Sequence, residues 1–244
     1  MRVRFLGSGD AFGSGGRFNT CIHVASAAGE FLVDCGASAL IAMRRFGVEP
    51  NAVRTIFVSH LHGDHFGGLP FLLLDAQLVS RRQGPLTIAG PPGLKERLRQ
   101  AMEVLFPGSS TVERRFQLEL VELAPGVRAS VQGVEVTPFE VRHPSGAPPF
   151  ALRLAAEDKV VCYSGDTEWT EALLAAADGV DLFIAEAYFF EKPVKFHLTY
   201  RALLEHRAEL RAKRTILTHM SAEMLQRLPE LACEAAEDGL VVEL

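Results

Sequence analysis

Short apolar runs alternate with longer helix-period runs along most of the chain, and this alternation predicts an α/β layered architecture. Early strands are expected at Val3 to Leu6, Cys21 to Ala25 and Phe31 to Val33, followed by a helix over Ala37 to Phe46 that Gly47 and Pro50 stop. A strand over Thr55 to Ser59 runs straight into a histidine-rich polar stretch, after which Leu69 to Val79 continues as an apolar helix. Beyond a strand at Leu86 to Ala89, Pro91-Pro92 opens a helix reaching about Leu105. Antiparallel strands are expected between Gln117 and Val141, then a hairpin joining Phe150 to Leu154 with Lys159 to Tyr163 through Glu157-Asp158. The final third reads as helix (Glu171 to Ala177), strand (Leu182 to Ala185), helix (Tyr200 to Leu210), strand (Thr215 to Thr218), helix (Glu223 to Ala236) and strand (Val241 to Val242). No linker or low-complexity stretch divides residues 1–244, so one domain is expected.

Composition keeps this picture and removes several alternatives. A hydrophobic share of 48% with 23% charged residues is that of an ordinary globular protein, not a disordered or fibrous one. The net charge of −5, with basic residues only in short pairs such as Arg44-Arg45, argues against non-specific nucleic-acid binding. Met1 to Leu6 meets Gly7 before a secretory core could form and no run approaches a membrane span, so a cytoplasmic location without membrane partners is expected. The four cysteines, at 21, 35, 162 and 233, have neither zinc-ribbon nor dithiol spacing and read as reduced thiols.

Candidate chemistry is concentrated in His60-Leu61-His62-Gly63-Asp64-His65. Along an extended segment alternate side chains share a side, so His60, His62 and Asp64 can project together while His65 begins the next turn. Packing four such groups without an ion is costly, and imidazole-rich coordination containing a carboxylate suits zinc better than magnesium or calcium. Three further candidates follow apolar runs: His143, Asp166 and His219. The strand-to-histidine pattern of Thr55 to His60 has a faint echo in Thr215 to His219.

Taken with Asp34 in Leu32-Val33-Asp34-Cys35-Gly36, this ordered set resembles the motif pattern of the metallo-β-lactamase fold superfamily across nearly the whole chain. The resemblance implies a four-layer αββα sandwich with metals at the edge between its two sheets. It further implies that His60, His62 and His143 hold one metal, that Asp64, His65 and His219 hold a second, and that Asp166 bridges them. Two Zn2+, with Mn2+ as the alternative, are the implied cofactors, and Asp34 would orient a ligand rather than bind a metal. Two such ions about 3.5–4 Å apart share a hydroxide that is available at neutral pH.

Gly165-Asp166-Thr167, Phe196-His197-Leu198-Thr199 and Leu217-Thr218-His219-Met220-Ser221 are similar to ribonuclease Z and related phosphodiesterases. By that likeness His197 would contact the phosphate and help protonate the leaving oxygen, oriented by Glu186; with Asp64 these form the expected catalytic set. The Gly-rich segment Leu6 to Asn19 resembles the same enzymes and reads equally as a surface turn; Arg17 and Asn19 are its candidates for substrate contact. His23 and His206 read as structural. Ribonuclease Z carries a long tRNA-gripping arm where this chain has one short hairpin between His143 and Asp166. This moves the expected substrate from tRNA toward a small phosphodiester such as a cyclic nucleotide or cyclic phosphate. A lactone or β-lactam ring-opening hydrolase and a non-enzymatic metal-dependent binding protein are the competing readings. Relatives of this kind commonly dimerise, which makes a homodimer an expectation by resemblance alone.

Overall fold

The computed structural model describes residues 1–244 as two seven-stranded sheets packed face to face. The first sheet contains β1 (Arg2–Gly7), β2 (Cys21–Ser26), β3 (Gly29–Val33), β4 (Val53–Phe57), β5 (Leu86–Gly90), β6 (Leu118–Glu122) and β14 (Val241–Glu243), in the order β14-β1-β2-β3-β4-β5-β6. The second contains β7 (Ala129–Val131), β8 (Val134–Glu140), β9 (Phe150–Ala156), β10 (Lys159–Tyr163), β11 (Leu182–Glu186), β12 (Thr215–Thr218) and β13 (Glu234–Ala235), in the order β13-β12-β11-β10-β9-β8-β7.

Alternating side chains on each strand supply a core to both faces of its sheet. Val3, Phe5, Phe31 and Phe57 from the first sheet meet Val136, Leu152, Tyr163 and Ile184 from the second in the central layer. Their neighbours on the outer face of the first sheet, including Leu32, Ile56 and Ile88, pack under α1 (Ala39–Arg45), the one-turn α2 (Gly63–Phe66), α3 (Leu69–Leu78) and α4 (Leu94–Leu105). Helix α4 buries Leu94, Leu98 and Met102, four residues apart, and turns its charged positions outward. On the other side Cys162, Phe183 and Leu217 are covered by α5 (Ala172–Ala177), α6 (Tyr200–Glu205) and α7 (Ala222–Gln226). The result is the expected αββα sandwich.

The strand directions bring the chemistry to one end. Strands β3, β4, β5 and β6 are mutually parallel, as are β10, β11, β12 and β13, so each group ends its strands on the same side. Asp34 follows β3, the histidine run follows β4, Asp166 follows β10, Glu186 closes β11 and His219 follows β12. His143 lies just beyond β8, which shares the direction of β10 because both are antiparallel to β9. Ligand sites of open α/β sheets collect at such carboxyl ends. The echo between Thr55–His60 and Thr215–His219 has a structural counterpart, since β4 and β12 belong to different sheets and both deliver a histidine to this edge.

Three sequence expectations are corrected. Not all strands between Gln117 and Val141 are antiparallel: β6 pairs in parallel with β5 and belongs to the first sheet, because α4 returns the chain for another crossover. The helix expected over Glu223 to Ala236 stops at Gln226, where Pro229 admits only a short 3₁₀ turn before β13 adds to the sheet edge. Helix α6 ends at Glu205, well short of Leu210.

The loop after β3 packs hard against the histidine loop after β4. A Cβ at Gly36 would lie 2.2 Å from the Asp64 carbonyl oxygen, backbone that cannot swing aside. Gly36→Ala is expected to lower stability by at least about 1–3 kcal/mol. Urea denaturation with an unchanged slope and a reduced midpoint would show it.

Candidate metal centre

The first side chain to be fixed at this edge is a carboxylate. Asp34 is fully buried, accepts hydrogen bonds from the Ser59 amide and hydroxyl, both at 2.7 Å, and stands 2.7 Å from His65 Nδ1. Burial pushes its pKa up and the His65 contact pulls it down, leaving it raised. With Nδ1 held this way, His65 aims Nε2 at the cleft, the orienting role expected for Asp34. His60 is similarly steadied, its Nδ1 lying 3.1 Å from the Ser59 hydroxyl.

The remaining candidates converge as two groups. In one, His60, His62 and His143 point nitrogens at a common space, with His143 Nε2 2.9 Å from His62 Nδ1. In the other, Asp64, His65, Asp166 and His219 meet: His219 Nε2 is 3.1 Å from Asp64 Oδ2, and His65 Nε2 is 3.3 Å from His219 Nε2. Asp166 stands between them, with Oδ2 4.0 Å from His143 Nε2, 3.9 Å from His60 Nε2 and 3.5 Å from His219 Nε2. All seven residues that the resemblance implies as ligands therefore come together, and His197 and Glu186 lie close enough to form further groups with His143, Asp166 and His219.

Electrostatics argue for a cation at this place. His60 Nε2, Asp166 Oδ1 and His219 Nδ1 are buried and have no hydrogen-bond partner, which is costly unless another group satisfies them. Burial would depress the pKa of His219, yet Asp166 and the Asp64 hydrogen bond raise it to about 9. His65 likewise overcomes burial and is raised by Asp166 and Asp64, whereas burial and the neighbouring imidazoles depress His60. Imidazole nitrogens crowded this closely around two carboxylates fit a metal ion, which supplies the positive charge that histidine protons otherwise bring.

A second pair sits beside the ligands. Glu186 is fully buried, 2.9 Å from His197 Nδ1, and its other oxygen accepts from the Thr167 amide. His197 is partly exposed and 4.0 Å from Asp166. It does not cap α6, a role taken by Thr199, whose hydroxyl accepts from the Ala202 amide.

Other parts of the site had no signal in the sequence. The Tyr188 ring stacks on His197 at 4.8 Å, forming a wall of the cleft. The Phe196 carbonyl accepts from His143 Nδ1 at 2.9 Å, and Phe196 adopts a φ of 70° to present it. Asp34 and His219 share this left-handed backbone, with φ of 61° and 56°, so three strained non-glycine residues lie in one site.

The Gly-rich loop lies against the same edge, its Ser8 carbonyl accepting from the His219 amide at 3.1 Å. Arg17 and Asn19, the candidates for substrate contact, make hydrogen bonds within the protein: Arg17 Nη1 donates to the Ala236 carbonyl and Asn19 Nδ2 to the Asp10 carbonyl. Asp238 ties the loop down by accepting from the Ser8 amide and hydroxyl and the Phe18 amide at 2.8–2.9 Å. His23 pairs with Glu30, and His206 with Glu209 while stacking on Trp169, both outside the cluster.

Comparison with known proteins places this geometry. The family model described as anti-Pycsar protein Apyc1 matches residues 1–235. The chain belongs to the Apyc1 family. It is 28% identical to the ribonuclease Z of Methanothermobacter thermautotrophicus, over 97% of this chain and 91% of that protein. The solved structure of human tRNase Z, short form (ELAC1), superposes with a TM-score of 0.81 at 26% identity, covering 100% of this chain and 99% of that one. Zn(2+)-bound PqqB from Methylobacterium extorquens shares the fold, with a TM-score of 0.78 at 15% identity over the full length of both chains. The chain is thus a metallo-β-lactamase-fold protein of the ribonuclease Z-like branch. No helix in it is long and apolar enough to cross a membrane.

Zinc added to metal-free protein should raise the thermal midpoint by roughly 5–10 °C, as about 2.7 kcal/mol of binding stabilisation at a hundredfold excess over Kd implies for a chain of this size. Asp166→Ala should abolish most of that rise in differential scanning calorimetry. Asp64→Ala should lower the bound metal measured by elemental analysis.

Proposed function

We propose that this protein is a dinuclear zinc phosphodiesterase acting on a small phosphodiester, a cyclic nucleotide or cyclic phosphate. The observation that carries the reading is the Glu186–His197 pair set beside the metal-ligand cluster, because it supplies a proton where phosphodiester cleavage needs one.

In this reading His60, His62 and His143 would hold one zinc and Asp64, His65 and His219 a second, with Asp166 available to either. Bound zinc would supply a Lewis acid and a water made acidic enough to serve as a nucleophile near neutral pH. The protein's own groups do the rest. Asp34 and the Phe196 carbonyl fix the ring orientations of His65 and His143, so the donors are set before substrate arrives. Glu186 engages His197 Nδ1 and leaves Nε2 free to protonate the departing oxygen. Burial works against the imidazolium, but Glu186 and Asp166 outweigh it and raise the His197 pKa. Tyr188 prevents the ring from tipping out of line.

The names and titles of the relatives support phosphodiester chemistry, since ribonuclease Z and tRNase Z cut RNA backbones. The size of the substrate follows from what is missing. The alignment with the archaeal ribonuclease Z extends over 287 positions whereas this chain has 244 residues, so segments of that relative have no counterpart here. Between His143 and Asp166 stands only the β9–β10 hairpin, with its two-residue turn. A chain without an arm there has nothing to grip a folded tRNA body, which favours a small substrate.

His197→Ala should reduce kcat on a phosphodiester by roughly 10²–10⁴-fold, the usual worth of a general acid. Glu186→Gln should reduce it less, and neither change should alter zinc content. Lactone opening by the same zinc-loaded variants would be spared. Wild-type protein that opens lactones or β-lactams and leaves phosphodiesters intact would overturn the assignment.

A further inference from the structure

Between α6, β12 and β13, on the helix-covered side of the second sheet, lies a cavity of about 460 Å³ to which no metal ligand contributes. Small-molecule sites span roughly 300–1,000 Å³. Two periodicities build this one. Tyr200, Leu203, Leu204 and Arg207 recur at helical spacing along α6 and the turn that follows it, and present one face. Thr215 and Leu217, two residues apart, present one face of β12. Tyr200, Leu203 and Leu217 are buried, whereas Leu204 is exposed, so an apolar surface continues from the core to solvent.

The walls are fastened. The Ala232 amide donates to the Tyr200 hydroxyl at 2.7 Å, which ties the approach to β13 against α6. The turn after α6 is pinned by His206, which stacks on Trp169 at 3.8 Å and pairs with Glu209 at 2.7 Å. The cavity is thus formed by the folded chain before anything occupies it. Three cations line it, Arg207, Lys213 and Arg214, in a chain whose net charge is −5. Two of them are engaged: Lys213 meets Asp181 at 2.8 Å, and Arg214 meets Glu234 through two contacts of 2.7 and 2.5 Å. Arg207 alone of the three has no acidic partner. Its charge reaches the cavity, since burial pushes the Cys233 thiol up while Tyr200 and Arg207 pull against that rise.

We propose that this cavity is a second ligand site, separate from the metal centre, that takes an aliphatic carboxylate, with the tail against Leu203, Leu204 and Leu217 and the head on Arg207. The proposal is independent of the phosphodiesterase reading. A guanidinium offers a planar fork that matches one carboxylate. The charge count selects the head group. One unpaired cation balances one negative charge, whereas a phosphate monoester brings about 1.5–2 near neutral pH, and Glu234 at the same cavity adds a further negative charge that Arg214 already balances. The apolar stretch from Leu217 to Leu204 asks for a tail longer than that of acetate.

Cys233 supplies the readout, because it lines the cavity and is partly exposed, whereas Cys21, Cys35 and Cys162 are buried. Iodoacetamide should label Cys233 first in the full-length protein, followed by peptide mass spectrometry. Octanoate should slow that labelling by at least about 10-fold at a hundredfold excess over its Kd, with one molecule bound in calorimetry. Acetate, which lacks the tail, should not protect. Octanol, which lacks the charge, should bind more weakly than octanoate by roughly 5-fold, the upper range for an exposed ion pair, and Arg207→Ala should weaken octanoate by the same factor. Ala212→Trp, which fills the cavity, should abolish protection, and Asp166→Ala, at the metal centre, should preserve it. Labelling of Cys233 that octanoate leaves unaltered up to its micelle threshold would overturn the site. So would protection by acetate, equal protection by octanol, unweakened binding in Arg207→Ala or loss of binding in Asp166→Ala.

Discussion

Buried negative charge governs this structure. Asp34, Asp166 and Glu186 lie within the sandwich edge, out of contact with water, and each is tolerable only because an imidazole stands against it. That requirement reaches far into the fold. It demands that β3, β4, β10, β11 and β12, drawn from both sheets, end at one level, and that the loops beyond them keep three residues in left-handed backbone. Strain at Asp34, Phe196 and His219 persists because the packing beneath leaves no alternative, as Gly36 pressed against the Asp64 carbonyl illustrates. A cation shared by these groups would relieve the crowding that the folded chain imposes.

What could be read from the amino-acid order divides along physical lines. The ligand cluster was legible because metal binding needs particular side chains at strand ends, and a strand followed by His60, His62, Asp64 and His65 leaves few other meanings. Asp34 and Glu186 were assigned their orienting work by resemblance, and the structure gives each a histidine at hydrogen-bond distance. The Phe196 carbonyl could not have been found in that way, since a backbone acceptor carries no residue signature. Nor could Tyr188, an aromatic residue among several in Tyr188-Phe189-Phe190 until its ring is placed on His197. The polar residues of the Gly-rich loop carry a relation that a list of residues does not reveal: Arg17 and Asn19 are hydrogen-bonded within the chain.

The misread elements have a common cause. The helix expected over Glu223 to Ala236 has the right composition for most of its length, and the assignment of β6 to an antiparallel group followed its neighbours in sequence. Both were decided by partners distant in the chain: β13 joins β12, and β6 joins β5. Local preference set the elements that cross the core, and tertiary pairing set those at the two sheet margins. The family model and the solved neighbours agree with the part that local preference made legible, the sandwich itself.

The fastening of the Gly-rich loop bears on how the fold closes. Asp238 and β14 hold Ser8 and β1, the Asp238–Ser8 contact joining positions 230 residues apart. Contacts of such separation close a very long loop, whose entropy is lost before the contact repays it. The wall behind His219 is therefore completed only when these two distant segments of the chain have met at one margin of the first sheet.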